Sequence, residues 1–217
     1  MVIFATPGCI TGIGAILFRH FVSHPTERRR MSRMVTKEQY FDTGLAVLAE
    51  IGFRHINIGV LCRRLGVTSG SFYHHFGNWQ SFVDALLEYW ENRQVLILRG
   101  HEFDRCTPDE AITTLVDLTL GLHHAAEAAI RAWAGNDEAV AVAVKRVDES
   151  RRRTVHKAVR SVVGDDETAT VVTAVGMALL VGYQQIGADG SPAPLDRLLA
   201  EYTRLIYSHA PEPDALR

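Results

Sequence analysis

The chain has 217 residues, 47% hydrophobic and 22% charged, which suffices for a buried core of one or two helical domains and excludes long disorder or a coiled-coil rod. A net charge of −2 excludes a globally basic nucleic-acid coat, so any nucleic-acid site has to be local. Cys9, Cys62 and Cys106 are odd in number and far apart, which gives no disulfide framework and points to a reducing compartment, the cytoplasm.

Residues 1–34 read as an N-terminal extension. Its apolar stretch, with Ile10, Ile13, Ile16, Leu17 and Phe18, is interrupted by Pro7, Gly8, Gly12 and Gly14, and no positive segment precedes it as a signal peptide requires. A membrane span is the minor alternative to a segment that is disordered or lies before a true start at Met31 or Met34. If the longer form is made, Arg28, Arg29 and Arg30 are a flexible basic arm beside a DNA-binding unit, or simply a solvated run.

From Thr36 onward apolar residues recur at helical spacing, as in Phe41, Leu45, Leu48 and Ile51, and no alternating pattern persists, so the fold class is all-α. Gly52 closes a first helix, Asn57 caps a second, Gly66 ends it and Ser69 opens a third. A longer helix is predicted from Asn78 to about Arg99, burying Phe82, Leu86, Tyr89 and Trp90. The sequence Thr107-Pro108-Asp109-Glu110 combines an N-cap, proline in the first turn and a capping-box glutamate. Helices are predicted over 108–123, 125–134, 137–163, 166–187 and 195–208, broken at Gly135-Asn136, Gly164 and 187–194. The expected organisation is a helix-turn-helix unit over 35–80, a connecting helix over 81–100 and a C-terminal helical domain over 101–217.

The informative stretch is Asn57-Ile58-Gly59-Val60-Leu61-Cys62-Arg63-Arg64-Leu65-Gly66-Val67-Thr68-Ser69-Gly70-Ser71-Phe72-Tyr73-His74-His75-Phe76. Leu61 and Leu65 pack inward, Gly66 permits a sharp turn, Val67 fills the angle, and Phe72 and Phe76 anchor the second helix. The free face keeps Ser69, Gly70, Ser71, Tyr73 and His74, small and hydroxyl-bearing groups that let a helix N-terminus approach bases and phosphates. A plain three-helix packing unit would explain the phenylalanines but not this face.

Over about residues 36–90 the turn, the aromatic anchor and the flanking Ala49-Glu50-Ile51-Gly52-Phe53 and Leu86-Leu87-Glu88-Tyr89-Trp90 resemble the DNA-binding domain of TetR-type transcriptional regulators. The resemblance implies a homodimeric repressor with a divergent C-terminal domain, released from double-stranded operator DNA by a small-molecule effector. Position by position it puts Ser69, Gly70 and Ser71 near bases, Tyr73 and His75 at phosphates, His74 on the exposed face and Asn57 at the cap of the preceding helix. Two positions depart from the family pattern: Gly59 and Trp79 stand where cationic contacts are frequent. Phosphate attraction would then rest on Arg54, Arg63, Arg64, His74 and His75, with the arginine arm as a further contributor.

In the C-terminal part, Trp90, Phe103, Trp133 and Tyr183 could line an apolar cavity, each with ordinary core as its alternative. His123, Glu127 and Arg131 are candidate polar ligand contacts, with a Glu127–Arg131 surface ion pair as the bland alternative. His123 and Glu127 alone make no metal site, and no metal or cofactor is expected. The run from Lys145 to Arg153 mixes signs and reads as a solvated face. Val171 to Gly182 is small or apolar nearly all round, which requires burial on more than one face. Gly176, Leu179, Gly182, Leu195, Leu198, Leu199, Tyr202 and Leu205 are therefore the expected two-fold dimer interface. An enzyme is not expected, since no nucleophile elbow, phosphate loop, dinucleotide fingerprint or HExxH occurs. A helical adaptor, or a membrane-tethered regulator should residues 1–22 insert, is the remaining alternative.

Overall fold

The computed structural model describes residues 35–100, 106–187 and 190–211, and within them all regular structure is α-helical. The predicted N-terminal extension and Phe103 lie outside the described residues. Three short helices come first: α1 (Lys37–Ile51), α2 (Ile58–Leu65) and α3 (Ser69–Phe76). The long α4 (Trp79–Gly100) follows, then α5 (Pro108–Leu120), α6 (His124–Ala134), α7 (Glu138–Val163), α8 (Asp166–Ile186) and α9 (Leu195–Ser208).

Local chemistry sets these boundaries. Thr36 and Gln39 close a capping box on α1, and Thr107 and Glu110 close another on α5; each leaves fewer orphan amides in the first turn. Asn57, Asp137 and Asp165 accept from the first-turn amides of α2, α7 and α8. The cap of α3 is Thr68, one residue earlier than expected, and Ser69 is already helical.

The first core is built on aromatic rings. Tyr40 and Phe41 of α1, Phe72 and Phe76 of α3, and Trp79 and Phe82 of α4 meet edge-on, tilted or stacked, for example Tyr40–Phe76 at 5.3 Å, Phe76–Phe82 at 5.1 Å and Phe41–Phe82 at 6.2 Å. Such pairs add about 0.5–1.5 kcal/mol each beyond the area they bury. This core continues without a break into Trp90 of α4, Ile130 and Trp133 of α6 and Val140, Ala143 and Val147 of α7. Trp90 and Trp133, considered as cavity residues from the sequence, are thus packed where α1, α4, α6 and α7 meet. Trp133 stacks on Phe53, just beyond α1, at 6.3 Å. Any shift of α6 therefore acts directly on the three-helix unit.

A second, smaller core joins Ala111 and Ile112 of α5, Ala158, Val159 and Val163 of α7, Ala169 and Val172 of α8 and Ile206 of α9. The described residues form one compact unit.

Candidate functional site

The turn between α2 and α3 is held from both sides. Gly66 sits at φ +69°, ψ 30°, a left-handed conformation that side chains disfavour, and it reverses the chain sharply. Leu61 is fully buried beneath it. Cys62 donates its thiol to the Thr68 carbonyl at 3.6 Å, and burial pushes its pKa up, so the donor stays protonated. The turn accordingly positions α3 rigidly on α1 and α2.

α3 divides into three faces. Phe72 and Phe76 are buried. Ser69, Gly70, Tyr73 and His74 are exposed, with Tyr73 at 51%. Ser71 and His75 lie between: Tyr40 donates to Ser71 Oγ at 3.2 Å, and the His75 ring stands edge-on to Tyr40 at 5.7 Å. Ser71, expected on the free face, is therefore half-buried, with its oxygen taken up by Tyr40. Asn57 caps α2 through its side-chain oxygen, 3.0 Å from the Val60 amide. Trp79 stacks on Phe72 at 6.2 Å, so the residue that replaces a cationic contact covers the aromatic core instead. Arg64 is held by Glu50 of α1, which leaves Arg63, Arg54 and Lys37 as the exposed cations around the unit.

The second feature is a cavity of about 80 Å³ between α5, α7, α8 and α9. Its wall is mainly aliphatic, with Ile112, Leu115, Val155, Leu180, Leu199 and Ile206, and Gln94 of α4 and Arg151 of α7 close one end. Gly176 and Tyr202 also line it. A Cβ on Gly176 would stand 2.4 Å from the Tyr202 ring, so the glycine permits the close crossing of α8 and α9. Tyr202 donates its hydroxyl to the Val172 carbonyl at 3.0 Å, and burial pushes its pKa up to about 12. Gly176→Ala is expected to cost about 1–3 kcal/mol in urea unfolding, because the ring can move aside only by giving up that bond.

Behind the cavity runs a buried polar chain that sequence reasoning did not find. Arg151, 6% exposed, donates to both carboxylate oxygens of Glu127 at 2.8 and 2.6 Å and to the Gln94 carbonyl oxygen at 2.7 Å. Gln184 of α8 donates to Glu127 at 2.7 Å and accepts from Arg131 at 2.9 Å. Arg131 in turn is bidentate to Asp148 at 2.7 and 2.6 Å. The expected Glu127–Arg131 pair does not form, because the two side chains take partners on α7. Arg151, read as part of a solvated run, points inward. A signal was present: Arg151 falls four residues after Val147 and four before Val155, in register with the apolar stripe of α7.

Among the remaining candidates, His123 is the exposed N-cap of α6. Tyr183 is half-buried and packs edge-on against His124 at 5.3 Å, and burial lowers the His124 pKa. None of the described ligand-contact candidates lines the cavity. Among the described residues no group of three His, Cys, Asp or Glu could hold a metal ion. Residues 41–86, from α1 through the turn to α4, match the family model described as bacterial regulatory proteins, tetR family.

The helix-turn-helix unit is similar to that of tetR-family regulatory proteins.

A curated relative, the HTH-type transcriptional regulator BetI of Proteus mirabilis, is 23% identical over 101 residues, 46% of this chain and 50% of that protein. The chain thus matches about half the length of that relative. A transcriptional regulator from Rhodococcus sp. Rha1 has the same fold, with a TM-score of 0.66 at 20% identity over 81% of this chain and 98% of the other. A regulator from Saccharomonospora viridis, solved in complex with choline, gives 0.64 at 14% identity over 81% and 97%.

The residues expected at the dimer interface separate into two groups. Gly176, Leu199 and Tyr202 line the cavity and Leu195 is buried, so these four pack within their own subunit. The reason is geometric: α8 turns Ala169, Val172, Thr173, Leu180 and Gln184 inward, and Gly176 lies on that same stripe. Leu179, Gly182, Leu198 and Leu205 are half-exposed. Beside them Val171, Val175 and Ile186 are 61, 44 and 59% exposed. α8 is also long and apolar enough to cross a membrane by length and composition alone.

Proposed function

We propose that the chain is a homodimeric transcriptional repressor that binds a near-palindromic operator through α3 and is released by a small-molecule effector. The observation that carries this reading is the rigidly seated α3, with its buried phenylalanines and its exposed Ser69, Gly70, Tyr73 and His74. Small side chains at the helix N-terminus permit close approach to base edges, and Tyr73 and His74 reach phosphates. Catalysis is not part of this reading.

The second copy is proposed to cover the outward stripe of α8. Val171, Ala174, Val175, Ala178 and Gly182 recur three or four residues apart on that side, and a Cβ on Gly182 would meet nothing within its own subunit. A small-residue stripe of this kind suits a close crossing with its symmetry mate.

The effector is proposed to enter the cavity of α5, α7, α8 and α9. A choline-like cation does not suit it: among the described lining residues Tyr202 is the one aromatic ring, and none is a carboxylate, whereas quaternary ammonium recognition uses aromatic cages.

Selection of the full chain against a randomised duplex pool, followed by titration at several salt concentrations, tests the reading. A palindrome with half-sites about 34–36 Å apart, or a multiple of that, is expected. Binding that depends on salt but not on sequence would overturn it. Tyr73→Ala is expected to weaken operator and random duplex alike by about tenfold, the loss of one hydrogen bond to a charged group.

A further inference from the structure

We propose that the cavity takes a neutral, mainly aliphatic molecule with a carbonyl oxygen at one end, which accepts a hydrogen bond from the Gln94 side-chain amide. This deepens the effector reading above and rests on it.

The charge argument comes first. Arg151 is the one formally charged side chain among the described lining residues, and both Glu127 oxygens already hold it. Together Arg131, Arg151, Glu127 and Asp148 sum to zero. An anionic ligand that shared Arg151 would bring a second negative charge beside the buried Glu127 carboxylate with no added cation to balance it. A cation would find no carboxylate on the wall. A neutral ligand disturbs neither pair.

The hydrogen-bonding inventory then sets the polar end. Tyr202 gives its hydroxyl proton to Val172, and Thr119 gives its own to the Leu115 carbonyl at 2.7 Å. The Gln94 oxygen is taken by Arg151, and among the described residues no acceptor takes the Gln94 Nε2 hydrogens. Both hydroxyl oxygens are thereby left as acceptors, and the Gln94 amide is a donor at that end, which a ligand oxygen matches. The volume is below the roughly 150 Å³ of an apolar cavity that holds benzene, so short chains fit as it stands and longer ones widen it.

The test uses the full chain without DNA, titrated calorimetrically with straight-chain methyl ketones from butanone to octanone, the matched carboxylates, and tetramethylammonium. Ketone affinity is expected to rise with chain length, with carboxylates and tetramethylammonium at least about tenfold weaker. Gln94→Leu and Gln94→Glu are both expected to lower ketone affinity about tenfold, since each removes the amide donor. A merely structural role for Gln94 would be rescued by Gln94→Glu, which keeps an acceptor for Arg151. Leu115→Trp, which fills the cavity, is expected to abolish binding. Equal or tighter binding of carboxylate or ammonium, no ketone binding at all, rescue by Gln94→Glu, or ketone binding unchanged in Leu115→Trp would each overturn the proposal. Release from the selected duplex is read separately: a ketone that fills the cavity and leaves DNA binding unchanged removes the effector reading and keeps the ligand class.

Discussion

Arg151→Leu is expected to destabilise the folded chain by about 3–5 kcal/mol, lowering the midpoint of thermal unfolding by roughly 10 °C. Glu127 is 2% exposed, and Arg151 is its ion-pair partner. Without the guanidinium the carboxylate keeps the Gln184 amide but must remain charged in an apolar setting or take up a proton. Glu127→Leu is expected to cost a similar amount, since it leaves the guanidinium with Gln94 alone. The double variant Glu127→Leu/Arg151→Leu is expected to recover most of the loss, because two well-packed leucines avoid the desolvation of both charges. Urea unfolding of the three variants closes the cycle. Equal losses in the single and double variants would mean that packing of the aliphatic stems, rather than the ion pair, is what the site requires.

That pair also marks where the sequence is legible and where it is not. Helix boundaries follow from capping chemistry, which is local: Thr107 with Glu110 and Gly164 after α7 fix their ends from a few neighbouring residues. The helix-turn-helix is legible for the same reason, since Gly66, Val67 and the two phenylalanines occupy fixed offsets. Buried polar partners are not local. Glu127 and Arg151 stand 24 residues apart and Gln94 and Arg151 57 apart, so nothing adjacent in sequence says that they meet. Register does give a hint, because Gln94 follows Trp90, Arg151 follows Val147 and Gln184 follows Leu180 by one helical step of four, each on a buried stripe. α8 presents the opposite difficulty. Its small and apolar residues surround the helix, a pattern that leads to an expectation of two covered faces but does not say which side belongs to its own subunit. Gly176 and Gly182 look alike in sequence, yet one meets Tyr202 of its own chain and the other meets nothing within it.

The outward stripe of α8 makes Val175→Asp the sharpest test of the proposed dimer. Val175 is 44% exposed, so a carboxylate there stays hydrated in a single subunit and the fold is expected to persist, with an unchanged circular dichroism spectrum. Between two copies the same carboxylate would be buried against Ala174, Ala178 and their symmetry mates with no cation opposite, a cost of several kcal/mol per dimer. Sedimentation is therefore expected to show monomers at concentrations where the unaltered chain is dimeric. Operator affinity is expected to fall by at least about a hundredfold, because the second half-site loses the effective concentration that the first supplies. Affinity for an isolated half-site is expected to be unchanged, since α3 is untouched. Val142→Asp supplies the control: Val142 is 47% exposed on α7, away from the stripe, and its substitution is expected to leave the dimer intact. Dimers that survive Val175→Asp, or that dissociate equally with Val142→Asp, would move the interface off α8, and the apolar stripe of that helix would then need another occupant.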